Sequence, residues 1–578
     1  MSVSGAGLLC EGTMPHDVSF RLSSGVKTVS RVELAGIPIT LPDVPEPMLK
    51  VSQIGLKDIY LGLDPGQHVR WEHAKGTYTN GMLWLSVLKD DNRIPKALLS
   101  NSSLGYEVTR VLVGYALLFH DYGHLFFSHL LEEALHLINW VPQHGGIASL
   151  EYRVLWDRLT SPTEYRARLQ DEVRNSLRKV HNGSGLLTKQ LINDPLRYIL
   201  DLAHGWSGPA YLQNIVNGPV DADKVDYLRR DQEVLGKAGY PLQTRLNFGP
   251  LVTGARSCRL PWMDEFLYEQ YVNHMGFLCL TGRSALATAA LWQERVFMYD
   301  RFYLAPDIRA ADRIALEIVQ QFLIRCVMSE EFARKVAAQE KVARQFANNP
   351  IQGLSELAIS EQSGASGIDV IELKYLSVVH ILTTLSECLG NNDKRDWECL
   401  EFMKDCVISL RSPSTDFVDL IKGGWSYLEK LERNEIDLRT FAVECIVGEP
   451  LHFRKRDRHK IQEIARSMQY RFGGDTLIDV VVSPNVLSLT DLRSQGVDAA
   501  SRRFPGILVP KGNVTSWGIG NTELEPLTPE KVAPLGEPFG RVVVISPGRA
   551  KHARSMYVFD RLVAELRQKD LLVEETYG

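Results

Sequence analysis

The chain has 578 residues, a formal net charge of −5, 44% hydrophobic residues and 23% charged residues. That length exceeds what one core sustains and predicts roughly two to four domains, while the composition excludes a disordered or fibrous chain. The acidic balance argues against a dedicated nucleic-acid binder, which carries a basic surplus; nucleic acid is not the favoured partner.

The eight cysteines (Cys10, Cys258, Cys279, Cys326, Cys388, Cys399, Cys406 and Cys445) include no CxxC pair. Neither a zinc ribbon nor a thioredoxin-type redox site is indicated, and a reducing, cytoplasmic setting is expected. The first residues, MSVSGAGLLCEG, lack a basic start and long apolar core, and no apolar run reaches about 18 residues. No signal peptide, membrane span or membrane partner is therefore expected.

Along the chain, residues 1–65 read as short strands and turns, with an apolar segment at 32–41 broken by Gly36 and Pro38. From Thr77 to about Gly448 the spacing is mostly helical. Met82, Leu85 and Leu88 recur near helical period, as do Tyr106, Leu112, Tyr115 and Phe119. The second half of 106–119 is apolar nearly all round, which predicts a helix inside a helical core. Asp194-Pro195 reads as a cap and first helical residue. Residues 348–367 read as an exposed loop. Beyond 450 the character changes: 476–483 (TLIDVVVS), 506–509 and 541–546 (RVVVIS) read as buried strands, and 550–568 as a helix. The expected class is mainly α: a helical core with short N-terminal strands, plus a smaller C-terminal α+β region. The expected divisions are a core at 1–330, a helical extension at 331–450 and an α+β domain at 451–578.

The chemistry concentrates in three places. His120-Asp121-Tyr122-Gly123-His124 follows the buried helix. Arg70-Trp71-Glu72-His73 lies upstream, and residues 221–227 (DADKVDY) lie downstream. An adjacent His-Asp pair offers an imidazole nitrogen and a carboxylate oxygen to one ion, a mix suited to divalent Mn, Fe, Ni or Zn and to hydrolysis. His73, His120, Asp121 and Asp223 are the expected metal ligands. Alone, the dipeptide is a weak signal; three blocks in the order His, His-Asp, Asp are far harder to obtain by chance.

These blocks resemble the HD-superfamily deoxynucleoside triphosphate triphosphohydrolases, the SAM-and-HD-domain enzymes and bacterial dGTPases, over roughly residues 14–330. The family pattern RxxH, HDxGHxxFSH, DxDKxDY appears as residues 70–73, 120–129 (HDYGHLFFSH) and 221–227. The resemblance implies an HD-domain helical core and hydrolysis of dNTPs to deoxynucleoside and inorganic triphosphate, with a divalent metal, Mg among the candidates. It places His124 and His129 at the scissile phosphate, with Glu132 orienting His129, Glu133 its competitor, and His144 a further catalytic histidine. It places Gln53 and Ile54 where the family reads the sugar 3′-hydroxyl and excludes a ribose. It assigns Arg70, Lys224, Tyr227, Asp231, Arg295, Tyr299 and Tyr303 to phosphate and sugar contacts. It also implies a homo-oligomer, tetramer or hexamer, and antiviral dNTP depletion as one biological purpose.

The chain departs from the pattern in two places. Gly145-Gly146 follow His144 where the family has Glu. Asp43 matches the guanine-reading regulatory site, but Glu46 and Leu49 stand at its Gln and Arg places. A different regulatory nucleotide, or none, stays open. The alternatives are another HD phosphohydrolase (nucleotidase, phosphodiesterase or nuclease), which would not need Gln53, Lys224 and Arg295, or a nucleotide-sensing subunit. The basic run 453–460 reads as a solvated face or interdomain contact.

Overall fold

The structure is a computed structural model. It describes residues 20–22, 32–34, 39–63, 68–101, 105–137, 154–155, 158–159, 164–180, 191, 193–204, 208–240, 266–267, 269–329, 331–333, 336, 378, 381–383, 385, 395–410, 415–472, 476–482, 507–517, 523–532, 539–547 and 552–573. The loop expected at 348–367 lies outside these residues.

Short strands β1 (Phe20–Leu22), β2 (Val32–Leu34) and β3 (Thr40–Leu41) form an antiparallel sheet at the N-terminal end. The helical core follows. Helix α1 is Arg70–Asp90 and α2 is Tyr106–Phe119. Ten of the fourteen residues of α2 are buried, as its all-round apolar surface requires. Next come α3 (His129–Leu137), α4 (Glu164–Val180), α5 (Pro195–Ala203), α6 (Ala210–Asn217) and α7 (Ala222–Lys237). Pro195 is the first residue of α5, but the side chain of Asp194 makes no capping bond. At α7 the cap is real: Asp221 accepts the Lys224 backbone N–H at 2.8 Å.

A hairpin of β4 (Gln270–Val272) and β5 (Leu278–Leu280) interrupts the helical run. Then come α8 (Gly282–Met298), a π-helical turn at Tyr299–Tyr303, and α9 (Pro306–Met328), whose face is buried along most of its length. Helices α10 (Arg395–Ile408), α11 (Thr415–Glu432) and α12 (Leu438–Cys445) pack on α9. Among the described residues no helix is long and apolar enough to cross a membrane.

The C-terminal part contains β6 (Ile446–Arg454), α13 (Arg458–Phe472), β7 (Leu477–Val482), β8 (Ile507–Pro510), β9 (Leu524–Pro526), β10 (Phe539–Ile545) and α14 (His552–Gln568). Its strands divide between two sheets. An antiparallel sheet runs in the order β6-β10-β7, while β8 pairs in parallel with β5 of the earlier hairpin and carries β9 on its other edge. The helical spacing that reaches Gly448 ends sooner in space, because β6 already starts at Ile446.

Strands β10 and β7 are largely buried on both faces, which explains their apolar runs, whereas the edge strand β6 is partly exposed. Successive residues point to opposite sides. Leu477, Val543 and Ile545 join the main helical core, whereas Ile478, Val542 and Val544 pack in a second core with α13 and α14. The mainly α architecture with a small α+β region is the one expected from the sequence.

Candidate metal centre

The centre is assembled where α1 and α7 cross beside the end of α2. His73 lies in the first turn of α1, His120 and Asp121 directly follow α2, and Asp223 lies in the first turn of α7. Close approach of α1 and α7 depends on Gly76. A Cβ there would run into the Asp226 carboxylate, and the Arg230 guanidinium would lie 2.5 Å away.

The four donor groups converge. His73 Nε2 lies 2.9 Å from Asp223 Oδ1, 3.2 Å from His120 Nε2 and 3.3 Å from Asp121 Oδ2. His120 Nε2 lies 3.4 Å from Asp121 Oδ1 and 3.6 Å from Asp223 Oδ1. Ligands held about 2.1 Å from one ion stand roughly 3.0–3.4 Å apart in octahedral or tetrahedral arrangement, and these separations fall around that range. His73, His120 and Asp121 form a group able to hold a metal ion.

The outer contacts set the tautomers. His120 Nδ1 lies 2.7 Å from the Leu117 carbonyl, which can only accept, so the proton sits on Nδ1 and Nε2 faces the other donors. His73 Nδ1 is oriented in the same way by Asp226, at 2.8 Å, and Asp226 is in turn held by Arg230. Two imidazole nitrogens facing each other with two carboxylates constitute a site for positive charge. Burial alone would lower the pKa of His73, but hydrogen bonds to Asp223 and Asp226 and the charges of Asp121 and Asp226 outweigh it and raise it to about 10. Burial likewise opposes a charged Asp121, yet Arg70, His120 and His124 hold its carboxyl well below the usual range. A divalent cation would take the place of the protons on the two Nε2 atoms, and two imidazoles so deprotonated with two carboxylates suit it.

Around this group, His124 Nε2 is 3.3 Å from Asp121 Oδ1, and its ring meets that of His129 edge to face, centroids 5.2 Å apart. His129 is exposed, and its Nδ1 lies 3.3 Å from Glu132 Oε2. Glu133, the competitor for that role, instead pairs with Arg309. Arg70 is engaged behind the ligands: it donates to Asp121 and to Ser128, both at 2.5 Å. The ammonium of Lys224 is 2.6 Å from Asp221.

The remaining expected contacts cluster beyond the metal group. Arg295 Nε donates to the Tyr227 hydroxyl at 3.0 Å, and its guanidinium lies 5.1 Å from the centre of the Tyr299 ring. Tyr303 packs against Tyr299, centroids 4.9 Å apart, and donates to Asp231. The spacing Arg295, Tyr299, Tyr303 suggests one helical face, and the three side chains do lie side by side, although the backbone passes into a π turn at Tyr299.

Gln53 and Ile54 lie on a short extended segment paired with the entry to α1: Ser52 bridges Val69, and the Gln53 N–H donates to the His68 carbonyl at 2.8 Å. Gln53 is buried, and its side-chain oxygen has no hydrogen-bond partner among the described residues. Gly55 takes a φ of +64° with the Phe127 carbonyl oxygen 3.2 Å from where a Cβ would stand, so only glycine suits this contact. His144 lies outside the described residues.

Four residues to which the motif reading gives no role belong to this region: His68, Asp58, Asp396 and, from within the 221–227 motif itself, Asp226. Asp226 stands one turn after Asp223 and was within reach of helical spacing. Asp396 comes from α10, and its carboxylate accepts the Phe127 N–H at 3.2 Å. No local signal marks it.

No family model matches the chain, and no curated protein matches it in sequence. Among solved structures it is similar to a phosphohydrolase from Bacteroides thetaiotaomicron, at 13% identity and a TM-score of 0.41, covering 88% of this chain and 97% of that one. It is also similar to a hypothetical protein from Aquifex aeolicus, at 15% identity and a TM-score of 0.43, covering 89% of this chain and 93% of that one.

Proposed function

We propose that this protein is a metal-dependent phosphohydrolase that cleaves deoxynucleoside triphosphates to deoxynucleoside and inorganic triphosphate. The observation that carries the reading is the convergence of His73, His120, Asp121 and Asp223, with five donor separations between 2.9 and 3.6 Å. The motif match at residues 120–129 supplies the substrate class.

A bound divalent ion would neutralise phosphoryl charge and lower the pKa of a water. The side chains do the rest. His73 and His120 would hold that ion in fixed tautomers, and Arg70 keeps Asp121 in place and ionised. His124, beside Asp121, would donate to a phosphoryl oxygen. His129, exposed and oriented by Glu132, would donate its proton to the leaving 5′-oxygen. Arg295, held among Tyr227 and Tyr299, would bind the polyphosphate, and Gln53, Ile54, Asp231 and Tyr303 would contact the sugar. Lys224 reaches phosphate only by leaving Asp221. Assembly as a tetramer or hexamer, a regulatory nucleotide and a role in antiviral dNTP depletion form part of the same proposal.

The test is product analysis with Mn or Mg and each dNTP, singly and mixed, beside the double variant H120A/D121A. Deoxynucleoside and triphosphate from wild type but not from the variant support the reading; activity only in mixtures points to nucleotide activation. Monophosphate or single phosphates as products would move the protein to another hydrolase class. Light scattering tests the assembly, and a monomer would sink it.

A further inference from the structure

His68 is a fully buried histidine with no place in the chemistry above. Its Nδ1 lies 2.9 Å from Asp58 Oδ1 and its Nε2 lies 2.8 Å from Asp231 Oδ1. Both carboxylates are themselves engaged. Asp58 accepts from the Ser52 hydroxyl, whose oxygen accepts the Ile54 N–H at 3.3 Å. Asp231 accepts from the Tyr303 hydroxyl on its other oxygen. His68 also touches the Gln53 segment through its own backbone, as acceptor of the Gln53 N–H. One imidazole thus sits at the middle of an unbroken hydrogen-bonded chain from Ile54 to Tyr303.

We propose that His68 is a specificity-determining positioning residue, which holds the Gln53–Ile54 segment and Asp231 in one frame and so sets the fit to the sugar of the substrate. The proposal rests on the deoxynucleotide reading above. A carboxylate oxygen accepts more than one bond, so Asp231 retains capacity for a sugar hydroxyl after serving His68 and Tyr303. Its orientation matters for that contact, and His68 limits its rotation. Exclusion of a ribose by Ile54 requires that the segment not retreat by even an ångström, and the link through Ser52 and Asp58 opposes that movement.

Stability alone does not account for this arrangement. Burying an imidazole and two carboxylates is commonly no better than apolar packing of the same volume, and its best-attested use is to enforce one arrangement. Burial by itself would push the imidazole pKa down, but the charge of Asp58 and hydrogen bonds to Asp231 and Asp58 lift it to about 10. Both ring nitrogens therefore carry protons at neutral pH, as a bridge between two carboxylates requires.

The experiment compares wild type with His68→Phe, which keeps a ring but no N–H, and with Asp58→Asn, which breaks the chain from its far end. Steady-state constants are measured for the four dNTPs and the four NTPs with Mn. Calorimetric uptake of Mn and thermal melting accompany each variant. The expected result is that His68→Phe still binds Mn, raises KM for dNTPs about tenfold or more with a smaller change in kcat, and loses much of the preference over NTPs. Asp58→Asn should move the same quantities in the same direction, and it decides the matter if His68→Phe does not fold. Variants that bind Mn with unchanged KM and unchanged preference overturn the role of His68. A uniform loss of kcat together with Mn binding overturns it as well, because it marks a merely structural residue. A wild type that hydrolyses no dNTP overturns the activity reading and the sugar role with it, an outcome visible before any variant is made.

Discussion

Arg309 on α9 donates to both carboxylate oxygens of Glu133 on α3, at 3.0 and 2.8 Å, and with its remaining N–H groups to both oxygens of Asp479 on β7, at 2.9 Å each. One guanidinium thereby joins the C-terminal sheet to the helix that carries His129 and Glu132. Arg541 of β10 makes a second such link, to Asp300 within the π turn that bears Tyr299 and Tyr303.

Replacing Arg309 with Met should leave the Asp479 carboxylate buried and unpaired. Loss of one partner of a buried pair costs about 3 kcal/mol or more. Chemical denaturation should show that loss, and the rate of hydrolysis should fall with it because α3 loses its anchor. An unchanged midpoint would mean that the pair contributes nothing.

Asp396 offers a pH test. Burial, reinforced by Asp58, raises its carboxyl to about 7 against the pull of the Phe127 N–H and Arg70. Because the folded value exceeds the unfolded one, the native state holds the proton more tightly, and stability falls as pH rises from about 4 to about 7. Asp396→Asn keeps an acceptor for the Phe127 N–H and removes the ionisation, so its melting temperature should gain on wild type at pH 8 relative to pH 5. Asp396→Ala removes the same ionisation but also the acceptor, so it should lie about 1–3 kcal/mol below Asp396→Asn at both, since the N–H is orphaned. Equal effects of the two variants would refute this account.

His68 makes stability fall with pH in the same direction as Asp396, but over a higher interval. Its folded value of about 10 exceeds that of an unfolded histidine. The stabilisation is fully present below about pH 6.5 and is lost as pH climbs toward 10. Thermal melts of wild type and His68→Phe should therefore converge over that interval; parallel curves would contradict it.

The metal centre makes two graded predictions. Asp226→Asn, which weakens the orientation of His73 without removing a ligand, should cut metal affinity about 10–100-fold by calorimetry. Gly76→Ala should act through the same pair, because its methyl group collides with the Asp226 carboxylate. If Gly76→Ala binds metal as wild type does, then α1 and α7 adjust without disturbing His73.

The chain itself located the groups that converge. His120-Asp121 is adjacent in sequence, His73 and Asp223 each sit in the first turn of a helix, and helical period places such residues without knowledge of their neighbours. The buried helix α2 and the strands β7 and β10 were legible for the same reason: a long apolar run reports on its own burial. The tertiary structure decided which groups serve which. Nothing in local period distinguishes Glu132 from Glu133, yet one orients His129 and the other meets Arg309. Nor does it bring Asp396 to Phe127, 269 positions away, or assign β8 to β5 instead of β7. Periodicity encodes the direction of a side chain relative to its own element; the partner it finds there depends on how the elements pack, and that is a property of the whole chain.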